Sequence, residues 1–406
     1  MKQKSSGLEG ARGSADGRRN QKEEEKEKET DSTNLSSLQS LFQLSEAEWA
    51  DEEPAEEKIV PVSCAHSDLP LHIAWSSLST CSRFRHDKKT NEDRVIVEDY
   101  SDDRLAIVVA CVIDGHAGDY AADFVASVLG KRLNAKFRSI LCDHDISPSQ
   151  SIQESLTQAI KDSFAYVDRR LCQSIFQLLP SSFYQQGTYF TGNMRTAFRH
   201  DFEKHIKTVR MDGNKDEPKG RIRGSGCVCA CLIMLGSMLF LAGLGDCGIL
   251  LKRLSGWENV LPEHHPTESD EKERIKKAGG YVKKNGISGV LAVSRAFGDI
   301  SYKESYYNMS KKSRLRSNED IVVPTPFVRC VDVDDTFQYC VMGSDGLFNA
   351  LKKETVINKV GMGIRNGLSG EEICKEVVKM AELEYDKSYM RKEDDDISIC
   401  IMFFNQ

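Results

Sequence analysis

The chain carries no excess of positive charge: 55 Lys and Arg stand against 62 Asp and Glu over 406 residues, a formal net charge of −7. A nucleic-acid binder needs a basic footprint, so the balance argues against that class. The first residues, Lys2, Gln3 and Lys4 followed by Ser and Gly, lack the apolar core of a signal peptide and match no N-myristoylation start. An intracellular setting, cytoplasmic or nuclear, is expected. No repeat longer than a single motif occurs, and no Walker-type phosphate loop is present. A cysteine-based phosphate cradle is missing as well. Only Cys247 stands six residues before an arginine, Arg253, and the Ile249-Leu250-Leu251 between them reads as a buried strand. Thirteen cysteines are an odd set for a secreted scaffold of this size, and Cys227, Cys229 and Cys231 alternate along one apolar run. They read as reduced, buried thiols.

What is present is a set of carboxylates placed against strand-like runs. Asp114 follows Leu105 to Ile113 and Asp345 follows Phe337 to Gly343, whereas Glu92 and Asp93 precede Arg94 to Val97 and Asp395 precedes Ile397 to Phe404. If these runs pair antiparallel, their carboxylates share one edge, an arrangement that needs a cation to hold it. Asp246, after Met238 to Leu244, is a fifth candidate. An all-oxygen donor set of this kind suits Mg²⁺ or Mn²⁺ rather than zinc.

Gly224 to Gly245 has no charged residue and is long enough to span a bilayer as a helix. Leu235-Gly236-Ser237 interrupts it near the middle, and each half has strand length. A buried hairpin and no membrane span is the expectation.

Residues 1–58 are rich in Lys, Glu, Ser and Asp and read as a disordered tail ahead of a domain over residues 59–406. Within the tail, Leu35, Leu38, Leu41, Phe42, Leu44 and Trp49 form an amphipathic stretch over 34–49, which either rests on the domain or docks a partner. Helical periodicity is expected over Gly118–Phe137, Ser151–Leu179, Glu268–Ala278, Lys352–Gly361 and Gly370–Leu383. Strand signals run over Cys227–Met234, Ser237–Leu244 and Gly248–Leu254, and a polar insertion lies near 180–223. Strands in the middle and helices outside predict layered sheets covered on both sides.

Six segments then stand in order: Asn91-Glu92-Asp93, Val112-Ile113-Asp114-Gly115-His116-Ala117-Gly118, Gly243-Leu244-Gly245-Asp246, Leu291 to Asp299 (LAVSRAFGD), Gly343-Ser344-Asp345-Gly346-Leu347 and Asp395-Asp396-Ile397-Ser398. Together they resemble the metal-dependent type 2C serine/threonine protein phosphatases across about residues 72 to 404. The stretch from Glu273 to Val282 is similar to the family's segment ahead of its Ser-Arg-Ala motif. The resemblance implies an α+β fold, an α/β/β/α sandwich of two mainly antiparallel sheets flanked by helices, with two Mg²⁺ or Mn²⁺ ions at one end. It implies that Asp114 bridges both ions and that the carbonyl of Gly115 binds one. Asp345 and Asp395 complete the other ion's shell, and Glu92 and Asp93 act through ordered water. His116 takes the place of the proposed general acid, and Lys88 that of an arginine gripping the phosphate, with Lys89 and Arg85 nearby.

The chemistry suits those residue types. Two cations about 4 Å apart neutralise phosphoryl oxygens and acidify a water, and a side chain titrating near neutrality can protonate the departing alkoxide. The implied activity is hydrolysis of phosphoserine and phosphothreonine in phosphorylated protein substrates, by a monomer. A catalytically weak scaffold or phosphoprotein-binding module is the alternative. Four positions depart from the family pattern. Lys88 loses the bidentate fork, Gly226 replaces a threonine, and Ala117 replaces a glycine. Asn349 replaces an aspartate that serves a third ion together with Asp246, which makes that ion weak or absent.

Overall fold

The computed structural model describes residues 71–78, 91–103, 105–141, 150–178, 224–303, 319–387 and 395–404. The tail 1–58 with its stretch 34–49, the insertion near 180–223, and Lys88, Lys89 and Arg85 lie outside the described residues.

One sheet grows from the most apolar segments. Ile107–His116 (β3) pairs antiparallel with Arg94–Asp99 (β2) on one side and with Gly226–Leu235 (β4) on the other. Every residue of β4 is buried, so its cysteines sit in the core, as expected for unpaired thiols. Gly236, at φ 56°, turns the chain into Met238–Leu244 (β5), and Leu235 pairs with Met238. The charge-free run is thus a hairpin, and among the described residues no helix is long and apolar enough to cross a membrane. Phe327–Asp332 (β11) closes this sheet against β5, and the two-residue Phe297–Gly298 (β10) pairs with the start of β4.

The second sheet is built from Leu71–Leu78 (β1), Gly248–Arg253 (β6), Gly256–Asn259 (β7), Phe337–Gly343 (β12) and Ile397–Phe404 (β13), in the order β1-β13-β12-β6-β7. Along β13, Cys400, Met402 and Phe404 face the core between the sheets, while Ile397, Ile399, Ile401 and Phe403 face the outer helices. Burial on both faces explains why this strand reads as a nearly continuous apolar run, interrupted only by Ser398.

Helices cover both sheets. Tyr120–Leu141 (α1) and Gln150–Leu178 (α2) pack on each other and against the first sheet. Asp345–Ala350 (α4), Lys353–Arg365 (α5) and Gly370–Lys387 (α6) cover the second. Ser269–Lys277 (α3) and the short hairpin of Val282–Lys283 (β8) and Gly286–Ile287 (β9) lie in the connection between β7 and β10. The expected four-layer sandwich is therefore present. The periodicity missed β1 and the strands from β7 to β11, and it missed α4, whose six residues span less than two helical turns.

Candidate active site

The carboxylates arrive in two pairs from two sheets. Asp114 lies near the end of β3 and Glu92-Asp93 lead into its partner β2; Asp345 follows β12 and Asp395-Asp396 lead into its partner β13. The antiparallel pairing expected from sequence is correct, but the shared edge is formed by stacking two sheets rather than within one. Contacts across the gap join them. The N–H of Asp345 donates to Asp114 Oδ2 at 3.3 Å, Ser398 Oγ to Asp93 Oδ2 at 2.7 Å, and the N–H of Glu92 to Asp396 Oδ2 at 2.7 Å. Gly115 sits so close to this junction that a Cβ would fall 2.3 Å from the Glu92 carbonyl oxygen. Only glycine permits that approach.

Burial concentrates the charge. Asp114 is 8% exposed, and burial pushes its carboxyl well above the usual range, with the charges of Asp93, Asp345, Asp395 and Asp246 adding to the shift. Asp93 is raised to about 7, chiefly by burial, against the hydrogen bond from Ser398 and with Asp396 and Asp395 raising it further. Burial also raises Asp345 and Asp246; His265 and His116 partly offset the latter. A hard dication would relieve exactly this kind of crowding, and the donors are all oxygen, so the residues present fit Mg²⁺ or Mn²⁺. Among the described residues no three of the acidic, His or Cys side chains close into a finished cage.

His116 ends β3 beside this edge, with 29% of its side chain exposed, and its Nε2 lies 2.9 Å from Asp299 Oδ2. Burial pulls the imidazole down, but the Asp299 carboxylate, helped by Asp246 and Glu92, outweighs it and lifts the ring to about 8. Sequence reasoning gave Asp299 no role, although it stands in the LAVSRAFGD segment; only the pairing of β10 with β4 brings it to the ring. Ala117 adopts φ 57°, so replacing glycine with alanine there does place a methyl in a strained left-handed backbone.

Two departures from the family pattern take on different meanings in three dimensions. Gly226, which replaces the family's threonine, lies directly under the His116–Asp299 pair. Asn349, at the position of the family's third-ion aspartate, donates Nδ2–H to Asp345 Oδ2 at 3.1 Å.

A profile of the Protein phosphatase 2C family matches residues 173–385, just over half of the chain. The chain belongs to the protein phosphatase 2C family. It is 28% identical over 197 residues to "Probable protein phosphatase 2C 6" of Paramecium tetraurelia, a match covering 47% of this chain and 62% of the relative. It is 26% identical over 329 residues to "Protein phosphatase 2C 57" of Arabidopsis thaliana, covering 76% of this chain and 70% of the relative. The fold is similar to the crystal structure of serine-threonine phosphatase 2C from Toxoplasma gondii, with a TM-score of 0.58, 18% identity, and coverage of 85% and 98% of the two chains. Within this protein phosphatase 2C chain, the profile match includes Gly226, Asp246, Asp299, Asp345 and Asn349. Glu92, Asp93, Asp114 and Asp395 fall outside it; strand register and the contacts between sheets place them at the same edge.

Proposed function

We propose that this chain hydrolyses phosphoserine and phosphothreonine monoesters in proteins, with two Mg²⁺ or Mn²⁺ ions held at the carboxylate edge. The observation that carries this reading is the buried meeting of Asp114 and Asp93 from one sheet with Asp345 from the other, beside His116. Asp114, Asp345, Asp395 and the Gly115 carbonyl are the residues that would hold the ions, with Glu92 and Asp93 acting through ordered water. When bound, such ions neutralise phosphoryl oxygens and lower the pKa of a water. The protein itself supplies a buried, oxygen-lined end of the sandwich that orients the phosphate, and an imidazole at its rim. His116 gives a proton to the leaving serine or threonine oxygen as the P–O bond breaks, so that the product departs as an alcohol. Lys88 supplies charge to the substrate phosphate without an arginine's planar fork.

Phosphate release from a phosphothreonine peptide with added Mn²⁺, and its abolition by a chelator, tests the proposal. No release with either ion, in protein that still binds phosphopeptide, would favour the second reading, a phosphoprotein-binding module. The Asn349 departure favours that alternative, because it removes one carboxylate from the ring around Asp345.

A further inference from the structure

Three strands meet at Gly226. It pairs with His116 at the end of β3 on one side and with Gly298 of β10 on the other. Neighbouring strands lie about 4.8 Å apart, so residues flanking a common neighbour stand roughly 10 Å apart. Side chains from the two outer strands meet only by reaching over the middle residue. At Gly226 nothing blocks them: a Cβ there would fall 2.4 Å from His116 Nε2 and 2.5 Å from Asp299 Oδ2. The ring and the carboxylate share the space that any other residue would fill.

Asp299 is held in that space from several directions. Its backbone is left-handed, φ 47° and ψ 45°, a region that residues with a Cβ seldom enter and that marks over-determined positions. Its N–H donates to the Ser225 carbonyl at 3.2 Å. The preceding Gly298 N–H donates to Asp168 Oδ1 at 2.8 Å, and Lys303 Nζ holds the other oxygen of Asp168 at 3.1 Å. Asp168 and Lys303 are both buried, so α2 clamps the loop that carries Asp299.

We propose that Asp299 is the positioning residue of His116, accepting a hydrogen bond from Nε2–H so that the ring is fixed with Nδ1 left to deliver the proton. Among the described residues Nδ1 makes no hydrogen bond. As the P–O bond breaks, the Nδ1 proton passes to the leaving oxygen, and the ring ends neutral with its remaining proton on Nε2 toward Asp299. The absence of a side chain at Gly226 is what allows the direct pair. This inference rests on the reading of His116 as the general acid.

Substrates with different leaving groups separate positioning from support of the fold. A phosphoserine peptide expels an alkoxide, which needs the proton; p-nitrophenyl phosphate expels a stabilised phenolate, which needs it far less. His116→Gln and Asp299→Asn should each lose at least about tenfold more kcat on the peptide than on the aryl ester. Gly226→Ala keeps Asp299 chemically intact but crowds it off the ring, and should show the same selective loss. If His116→Gln is selective while Asp299→Asn lowers both substrates alike, the positioning role is overturned. If His116→Gln itself lowers both alike, the general-acid reading has failed instead. Nitrogen-15 NMR of the Mg²⁺-loaded wild-type protein gives an answer that needs neither turnover nor a variant. A protonated, hydrogen-bonded Nε2 on His116 is expected, and an unprotonated Nε2 would overturn the pairing.

Discussion

The backbone N–H of Asp345 donates to Asp114 Oδ2 across 3.3 Å, joining a residue just beyond β12 to one inside β3, strands of different sheets. The bond brings a second carboxylate toward one that is already buried, and so creates a local electrostatic cost that a cation would relieve.

Asp114→Asn removes the most crowded of these charges. In chelator-containing buffer the variant should melt at a higher temperature than the wild type, because burial and four neighbouring carboxylates disfavour the ionised form. Addition of Mn²⁺ should raise the melting temperature of the wild type and not of the variant, while phosphatase turnover falls by several orders of magnitude. Equal Mn²⁺ stabilisation of both proteins would remove Asp114 from the metal site.

Asn349→Asp exchanges a hydrogen bond donated to Asp345 for a like charge beside it. The metal-free variant should be less stable than the wild type. Calorimetric titration should show one additional weak Mn²⁺ site, since a carboxylate binds a hard dication better than an amide does. Unchanged stoichiometry would mean that position 349 serves only to hold Asp345.

Lys303→Met leaves the Asp168 carboxylate buried without its cation. Denaturant unfolding should show a loss of about 3–5 kcal/mol. The Asp168→Asn, Lys303→Met double variant should lose less than the two single changes added together, by about 1–3 kcal/mol. Strict additivity would show that the two groups do not act as a pair.

Two groups should each lose a stabilising contribution on acidification, while Asp93, lifted to about 7, shifts stability the other way as it takes up its proton. Burial, aided by the Arg295 charge, lowers His264 to about 4 from an ordinary 6.5. The folded state keeps the ring neutral, while the unfolded chain takes up a proton below pH 6.5. The contribution of His264 is therefore lost between pH 6.5 and 4, on the order of 3 kcal/mol. Burial pushes Glu271 up, but hydrogen bonds from Arg295 and Arg274 outweigh it and bring the group to about 2. Its contribution, present above pH 4.5, is lost as the pH falls from 4.5 toward 2. Urea unfolding across this range checks both windows, and His264→Gln should flatten only the upper one.

Local pattern was enough for much of this molecule. Alternation and apolar runs located β3, β4, β5, β6, β12 and β13 to within a few residues, and the 3.6-residue period located α1, α2, α3, α5 and α6, because each of these elements has a core-facing surface that its own sequence must supply. The acidic residues at strand ends were visible for the same reason: their positions relative to apolar runs are a property of the chain itself. The tertiary structure decided what no local pattern encodes. It divided the carboxylates between two stacked sheets, and it turned the Asn349 amide toward Asp345. It also carried Asp299 from 183 positions away to His116 over the bare backbone of Gly226. These relationships depend on which strands become neighbours, and that follows from burying both faces of two sheets at once, a condition that only the whole folded chain can satisfy.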